Sequence, residues 1–366
     1  MAKPAQDPKA AWPDRIALFL LQFGVSLLLV SRGWLTWKWD SPIRGLFWEE
    51  KWWTPVLANF DITWEDYANT SDTWITPTLE WTGIFLMAAA ILPWLAMIPR
   101  LHWTRWLLIL PTLILAIDAF GRWFGKDLQA GTAMEYALRI LCPLVLILLL
   151  RPGALLSKTR RVGAASALLL ATALTFTGHG LYAMGYYDVP LNFRMMTSEI
   201  LPLTEPTVLF LLKIAGWLDF VVVAMVLIPV IPNKRFFAWI YMIALVGALA
   251  GAAIFFSWEI NGWLGFLIVT IFLIPFAPNA RLLGLIYMVL WGGATTSARV
   301  LAYYEPTLPW NGLDPWLAEA LVRTPHWLVP LWLIIILRKR KPVDQMETGG
   351  DLDDSTESVK IPAGWD

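Results

Sequence analysis

The side chains able to do chemistry in this sequence are ionisable groups set within long apolar stretches. Glu80, Asp118, Arg139, His179, Lys213 and Asp219 lie inside such stretches, and Arg32, Arg122, Glu259 and Arg299 lie at their ends. A charge in a lipid-spanning helix is costly, so it normally faces the bundle interior and pairs or serves a ligand. Asp118 and Arg122 are four apart, on one helical face, and can pair with each other. Lys213 and Asp219 are six apart and fall on different faces. Asp219 lies near mid-span, where desolvation leaves a carboxylate either protonated or paired. His179, between Gly178 and Gly180, can hydrogen-bond a neighbouring helix or a ligand. Together these groups admit recognition of a lipophilic molecule, a midplane Asp/Lys relay, or plain helix-to-helix bonding.

Other chemistries lack their residues. The lone Cys142 leaves no disulfide framework or cysteine zinc site. There is no Walker loop, Gly-x-Ser-x-Gly elbow or paired His-Glu metal spacing. His102 and His326 are expected at opposite membrane faces, which argues against a bis-histidine haem. Small residues at Ala244, Gly247 and Gly251 mark a close-packing face. Without a nucleotide-binding motif, the chain is not expected to be a stand-alone enzyme.

The elements that must carry these groups are membrane helices. Of 366 residues, 58% are apolar and 15% charged, well beyond soluble composition; mean hydropathy is +0.58. Windows long enough to span fall near 15–36, 77–98, 104–123, 134–151, 162–186, 206–231, 235–257, 261–278, 281–303 and 325–338. The expected fold is therefore an all-α, polytopic membrane bundle of about ten transmembrane helices. Ten crossings place seventeen Lys and Arg on the side of the termini and nine on the other, with Arg139 and Lys213 inside spans completing the 28. The positive-inside rule then sets both termini in the cytoplasm of a plasma (inner) membrane protein. The first run reads as an uncleaved signal anchor. The stretch after Lys341, acidic and poor in apolar residues, reads as a disordered tail over 342–366.

The outward-going spans share an ending: Ser31-Arg32-Gly33-Trp34, Gly121-Arg122-Trp123, Gly178-His179-Gly180-Leu181, and Arg299 followed by Tyr303-Tyr304, each with an acid a few residues on. Returning spans share an entry at Thr76-Pro77, Thr204-Glu205-Pro206 and Thr324-Pro325, where threonine can cap and proline loses no bond. A helical hairpin repeated in parallel follows. The expected organisation is a segment 1–14, a four-helix unit 15–151 with a long outer loop 37–76, a basic linker 152–161, a second four-helix unit 162–278, a hairpin 279–341 and the tail. Loop residues 42–60, 191–203 and 308–322 read as helices at the headgroup layer. They are either a tryptophan-rich anchor belt or a lid over a pocket.

At the fifth and sixth spans the chain resembles the DoxX family of small four-helix membrane proteins. The likeness rests on Gly178-His179-Gly180-Leu181, Phe193 in the following loop, and Leu211-Leu212-Lys213-Ile214-Ala215-Gly216-Trp217-Leu218-Asp219, with Asp219 where the family carries Glu. It covers about 162–278 and, through the repeat, 15–151. A fainter similarity, through Arg15-Ile16, Arg32-Gly33, Asp40 and Pro42, is to the HTTM family of vitamin K-dependent carboxylase-like membrane domains. The DoxX resemblance implies a membrane subunit that binds a quinone or lipid near the outer leaflet and serves redox metabolism. Arg32, Glu80, Asp118, Arg122, His179, Lys213, Asp219 and Arg299 are the ligand-binding candidates. Quinone is the implied cofactor, with no metal, and the expected partners are the lipid bilayer and other membrane subunits, not nucleic acid. A secondary transporter with the Asp219/Lys213 relay and a non-catalytic subunit of a larger complex are the alternatives.

Overall fold

A chain this apolar must satisfy its backbone hydrogen bonds internally, and helices do so within one segment. The computed structural model describes residues 8–150, 158–228, 279–304, 307 and 309–337, and among them the secondary structure is helical, without a strand. Eight helical runs there are long and apolar enough to cross a membrane: Asp14–Lys38, Trp64–Leu95, Pro99–Phe124, Ala130–Leu149, Thr159–Ala183, Glu205–Leu227, Ala280–Ala302 and Asp314–Leu337. Each coincides with one of the ten windows. The windows at 235–257 and 261–278, with Glu259, and the tail at 342–366 lie outside the described residues. The protein is multi-pass in a membrane.

Two hairpins organise the bundle. The first pairs α1 (Pro8–Lys38) with α4 (Trp64–Ala89), the second α9 (Lys158–Ala183) with α11 (Glu205–Leu227). Both close on facing glycines. A Cβ on Gly33 would lie 2.6 Å from the Gly83 carbonyl oxygen, and one on Gly216 would lie 2.8 Å from the Gly180 carbonyl oxygen. Backbones can approach this closely only where side chains are missing. Aligning the hairpins on these glycines superposes Arg32 on His179, Glu80 on Lys213, and Leu86 on Asp219. The sequence repeat is thus also a packing repeat. In the first copy the position of Asp219 holds Leu86, an ordinary core residue at 1% exposure.

Polar pins add to the first hairpin: Gln22 donates at 2.8 Å to the carbonyl of Pro93, in the short α5 (Leu92–Leu95), and Ser26 to that of Ala90 at 2.7 Å. At the same end Asp14 pairs with Arg161 at 2.8 Å, and Arg105 donates to the Leu150 carbonyl at 2.6 Å, capping the helix that ends there. The core between α1, α8 (Ala137–Leu149), α9 and α14 (Pro325–Leu337) is filled by Leu28, Leu146, Leu168 and the fully buried Trp332.

Some boundaries depart from expectation. Thr76-Pro77 does not open the second span, because α4 begins at Trp64 and carries Pro77 inside it. Its cap is Thr63, whose Oγ1 accepts from Asp66 N at 3.1 Å. A start secured there lets the helix propagate through a proline that costs one bond. The 42–60 loop is not one helix but two, α2 (Pro42–Trp48) and α3 (Glu50–Leu57), broken at Glu49, with Ser41 capping α2. Arg44 binds Asp40 and Asp72 there. Burial opposes its charge, but these hydrogen bonds outweigh it and hold the guanidinium above its usual range. The last span is longer than expected. The helix α13 (Pro309–Leu321) lies within the 308–322 stretch and runs through a three-residue turn into α14, so the span begins at Asp314.

Candidate functional site

The charged groups gather at one end of the bundle, where α1, α6 (Ile109–Phe124) and α9 stop and α7 (Ala130–Glu135) and α14 start. Arg32 does not meet a partner on its own helix; it reaches Asp118 on α6 at 2.8 Å, both almost fully buried. Ser41 completes the carboxylate by donating at 2.9 Å. This overturns the expected Asp118–Arg122 pair. A buried carboxylate takes the cation that is also desolvated, and Arg122 is exposed.

His179 is placed by glycine. A Cβ on Gly178 would sit 2.6 Å from the Gly131 carbonyl oxygen and 2.9 Å from Glu135 N, so α7 lies directly on α9. That approach delivers Glu135 to His179, whose Nδ1 is 2.8 Å from Oε1. Thr175 meets the break between α7 and α8, accepting from Leu138 N at 3.3 Å. From the other side Gly292 on α12 (Ala280–Ala302) admits the His326 backbone; a Cβ there would be 2.8 Å from its carbonyl oxygen. The imidazoles of His179 and His326 lie 5.3 Å apart between centroids. His326 Nδ1 contacts the Arg323 carbonyl at 2.9 Å, while Nε2 is sealed without a partner. Arg323 pairs with Glu319 one turn earlier. His326 is therefore part of this cluster, beside His179.

Beside it lies a cavity of about 420 Å³. Its origin is a length mismatch. Gly180 meets α11 at Gly216, eleven residues from that helix's start at Glu205, yet α9 ends at Ala183, three residues past Gly180. At 1.5 Å per residue α11 continues about 12 Å beyond α9. The short helix α10 (Leu191–Ile200) roofs the gap with Phe193, Met196, Thr197 and Ile200. This is the lid arrangement among the two loop readings. Walls are mostly apolar, with Phe176, Ala215, Trp291 and Ala298 among them.

Five ionisable side chains line the space: His179, Asp219, Arg299, Arg323 and His326. Asp219, beside Gly180 and 3% exposed, has its Oδ1 sealed without a donor. Arg299, 5% exposed, donates to the Thr295 carbonyl of its own helix at 2.8 Å and to no carboxylate among the described residues. Of the eight expected site residues, then, His179, Asp219 and Arg299 line the cavity, and Arg32 and Asp118 form a pair within the neighbouring charged cluster. Glu80, Arg122 and Lys213 are exposed. Glu80 and Lys213 occupy equivalent positions of the two hairpins and both point away from the interior. Glu135, Glu319, Arg323 and His326 were not anticipated. The i,i+4 spacing of Glu319 and Arg323 ahead of an apolar run was their one sequence signal. Among the described residues no group of three or more metal-ligating side chains converges. Comparison with family models, curated proteins and solved structures gave no match.

Proposed function

We propose that this multi-pass membrane protein is a DoxX-like binding subunit whose cavity under α10 holds a lipophilic molecule, a quinone or a lipid, near the outer leaflet. One observation carries the reading. A cavity of about 420 Å³ has mostly apolar walls carrying a few ionisable side chains, and is roofed by a short helix instead of by core side chains. Pockets for small amphiphiles have this composition, a few oriented polar groups in an apolar enclosure. The orientation follows from the positive-inside count, with both termini cytoplasmic in a plasma (inner) membrane. That puts the charged end of the bundle outward. Lys213 on the exposed face and Asp219 on the buried one offer no mutual relay, so the binding reading is preferred to the transporter.

The test is chemical analysis of what co-purifies. Protein extracted in mild detergent should carry a quinone or lipid at near-stoichiometric amount by liquid chromatography and mass spectrometry. An Ala215→Trp variant, which fills the cavity, should lose it. Equal bound amounts in both proteins would overturn the assignment of the cavity as the site.

A further inference from the structure

We infer that the cavity selects an acidic amphiphile, one hydrocarbon chain bearing a carboxylate or phosphate head, and that Arg299 is the residue that binds the head. This rests on the binding role just proposed and narrows its ligand. The argument begins with charge accounting. Arg323 is paired with Glu319 and Arg32 with Asp118, and the His179 imidazole contacts Glu135. Arg299 alone among the cations lining the cavity has no carboxylate within ion-pair distance among the described residues. A guanidinium carries five N–H donors, and among the described residues only one hydrogen bond, to Thr295 O, is made. Arg299 is buried at 5% exposure and is itself part of the cavity lining. Arginine presents a planar fork that matches carboxylate and phosphate oxygens two at a time. A neutral quinone carbonyl would leave this buried cation uncompensated.

Shape argues for the rest of the ligand. The lining residues of α12 run from Trp291 to Leu301, ten positions or about 15 Å. A cavity of about 420 Å³ extending over that length suits one extended hydrocarbon chain. Arg299 stands near one end. Asp219 lies by Gly180, at the level where α9 meets α11, toward the other. An acidic head is drawn to Arg299, which fixes the direction of insertion. The roof is held at its edge by Arg194 to Glu205 at 2.9 Å, an exposed pair that can open for entry.

The experiment uses the full chain in phosphatidylcholine nanodiscs, with radiolabelled oleate displaced by unlabelled compounds. Oleate and oleyl phosphate should compete, whereas methyl oleate and decylubiquinone should compete at least tenfold more weakly. Acetate and inorganic phosphate, heads without tails, should not compete. Arg299→Gln should weaken oleate at least tenfold while leaving methyl oleate unchanged, and Arg299→Lys should restore part of the affinity. Should either variant fail to fold, the oleate against methyl oleate comparison on the unaltered protein decides alone. Equal competition by methyl oleate, or full oleate affinity in Arg299→Gln, would overturn the acidic-head assignment. If decylubiquinone binds tightly and oleate does not, the head assignment fails while the cavity reading stands. If no compound binds, or Ala215→Trp binds all of them as well as the parent, both fail. Competition by inorganic phosphate alone would make the site one for the free anion and overturn the amphiphile.

Discussion

Replacing Asp219 by leucine should stabilise this protein, an unusual outcome for a change at a buried position. The internal repeat supplies the reason. Asp219 superposes on Leu86, and the first hairpin packs that leucine at 1% exposure against the same arrangement of facing glycines. Asp219 is as buried, yet its Oδ1 has no donor. An unsatisfied buried polar atom costs about 1–3 kcal/mol, and burying a leucine side chain contributes about 1.5–3 kcal/mol. Overpacking could cost about 1–3 kcal/mol in a filled core. Here the adjoining cavity of about 420 Å³ can accept the larger side chain. The net expectation is a gain of about 1–3 kcal/mol, or several degrees in Tm at about 2–4 °C per kcal/mol. Thermal unfolding of the detergent-solubilised variant, followed by tryptophan fluorescence, reads this directly. The reverse change, Leu86→Asp, should lower Tm by a similar or larger amount. A fall in Tm for Asp219→Leu would refute the reasoning, since it would show the carboxylate making a bond that holds α11 in place.

Three further outcomes can be checked together. Arg32→Leu should destabilise by about 3–5 kcal/mol by stranding Asp118, and the Arg32→Leu/Asp118→Leu double variant should recover most of that loss in the same unfolding assay. Gly216→Val should prevent α9 and α11 from closing, since a Cβ there would lie 2.6 Å from Met184 N; Gly163→Ala, with open space around it, should unfold at the parent temperature. With Cys142 buried, a membrane-impermeant maleimide should label Ser198→Cys on intact cells and Arg100→Cys only after permeabilisation; the opposite result would invert the orientation.

Spans were legible because the backbone in lipid leaves the chain few choices, and eight windows coincide with eight helices. Where a boundary was missed, a local signal was outweighed by a neighbour. Pro77 read as a start, yet Thr63 had already secured one fourteen residues earlier. Thr324-Pro325 read likewise, and the polar residues before it concealed that the last span begins at Asp314. That single error removed Glu319 and Arg323 from the candidates. The pairings were beyond the sequence for a different reason. Spacing along one helix proposed Asp118 with Arg122, whereas packing between helices gave Asp118 to Arg32. Glu135 reaches His179 only because Gly131 and Gly178 let two backbones touch, and a glycine's partner is not encoded beside it. Asp219 and Arg299 were found because a charge in an apolar run is conspicuous wherever it packs.

The central claim is that a lipophilic molecule occupies the cavity beneath α10. A photoreactive benzoylphenylalanine at Met196, which lines the cavity, tests it against the same residue at Leu110 on the exposed face of α6. After irradiation in native membranes, mass spectrometry should find one dominant lipophilic adduct at Met196, lost when Ala215→Trp fills the space, and only mixed bulk lipid at Leu110. The same mixture at both positions, unchanged by filling the cavity, would contradict the account.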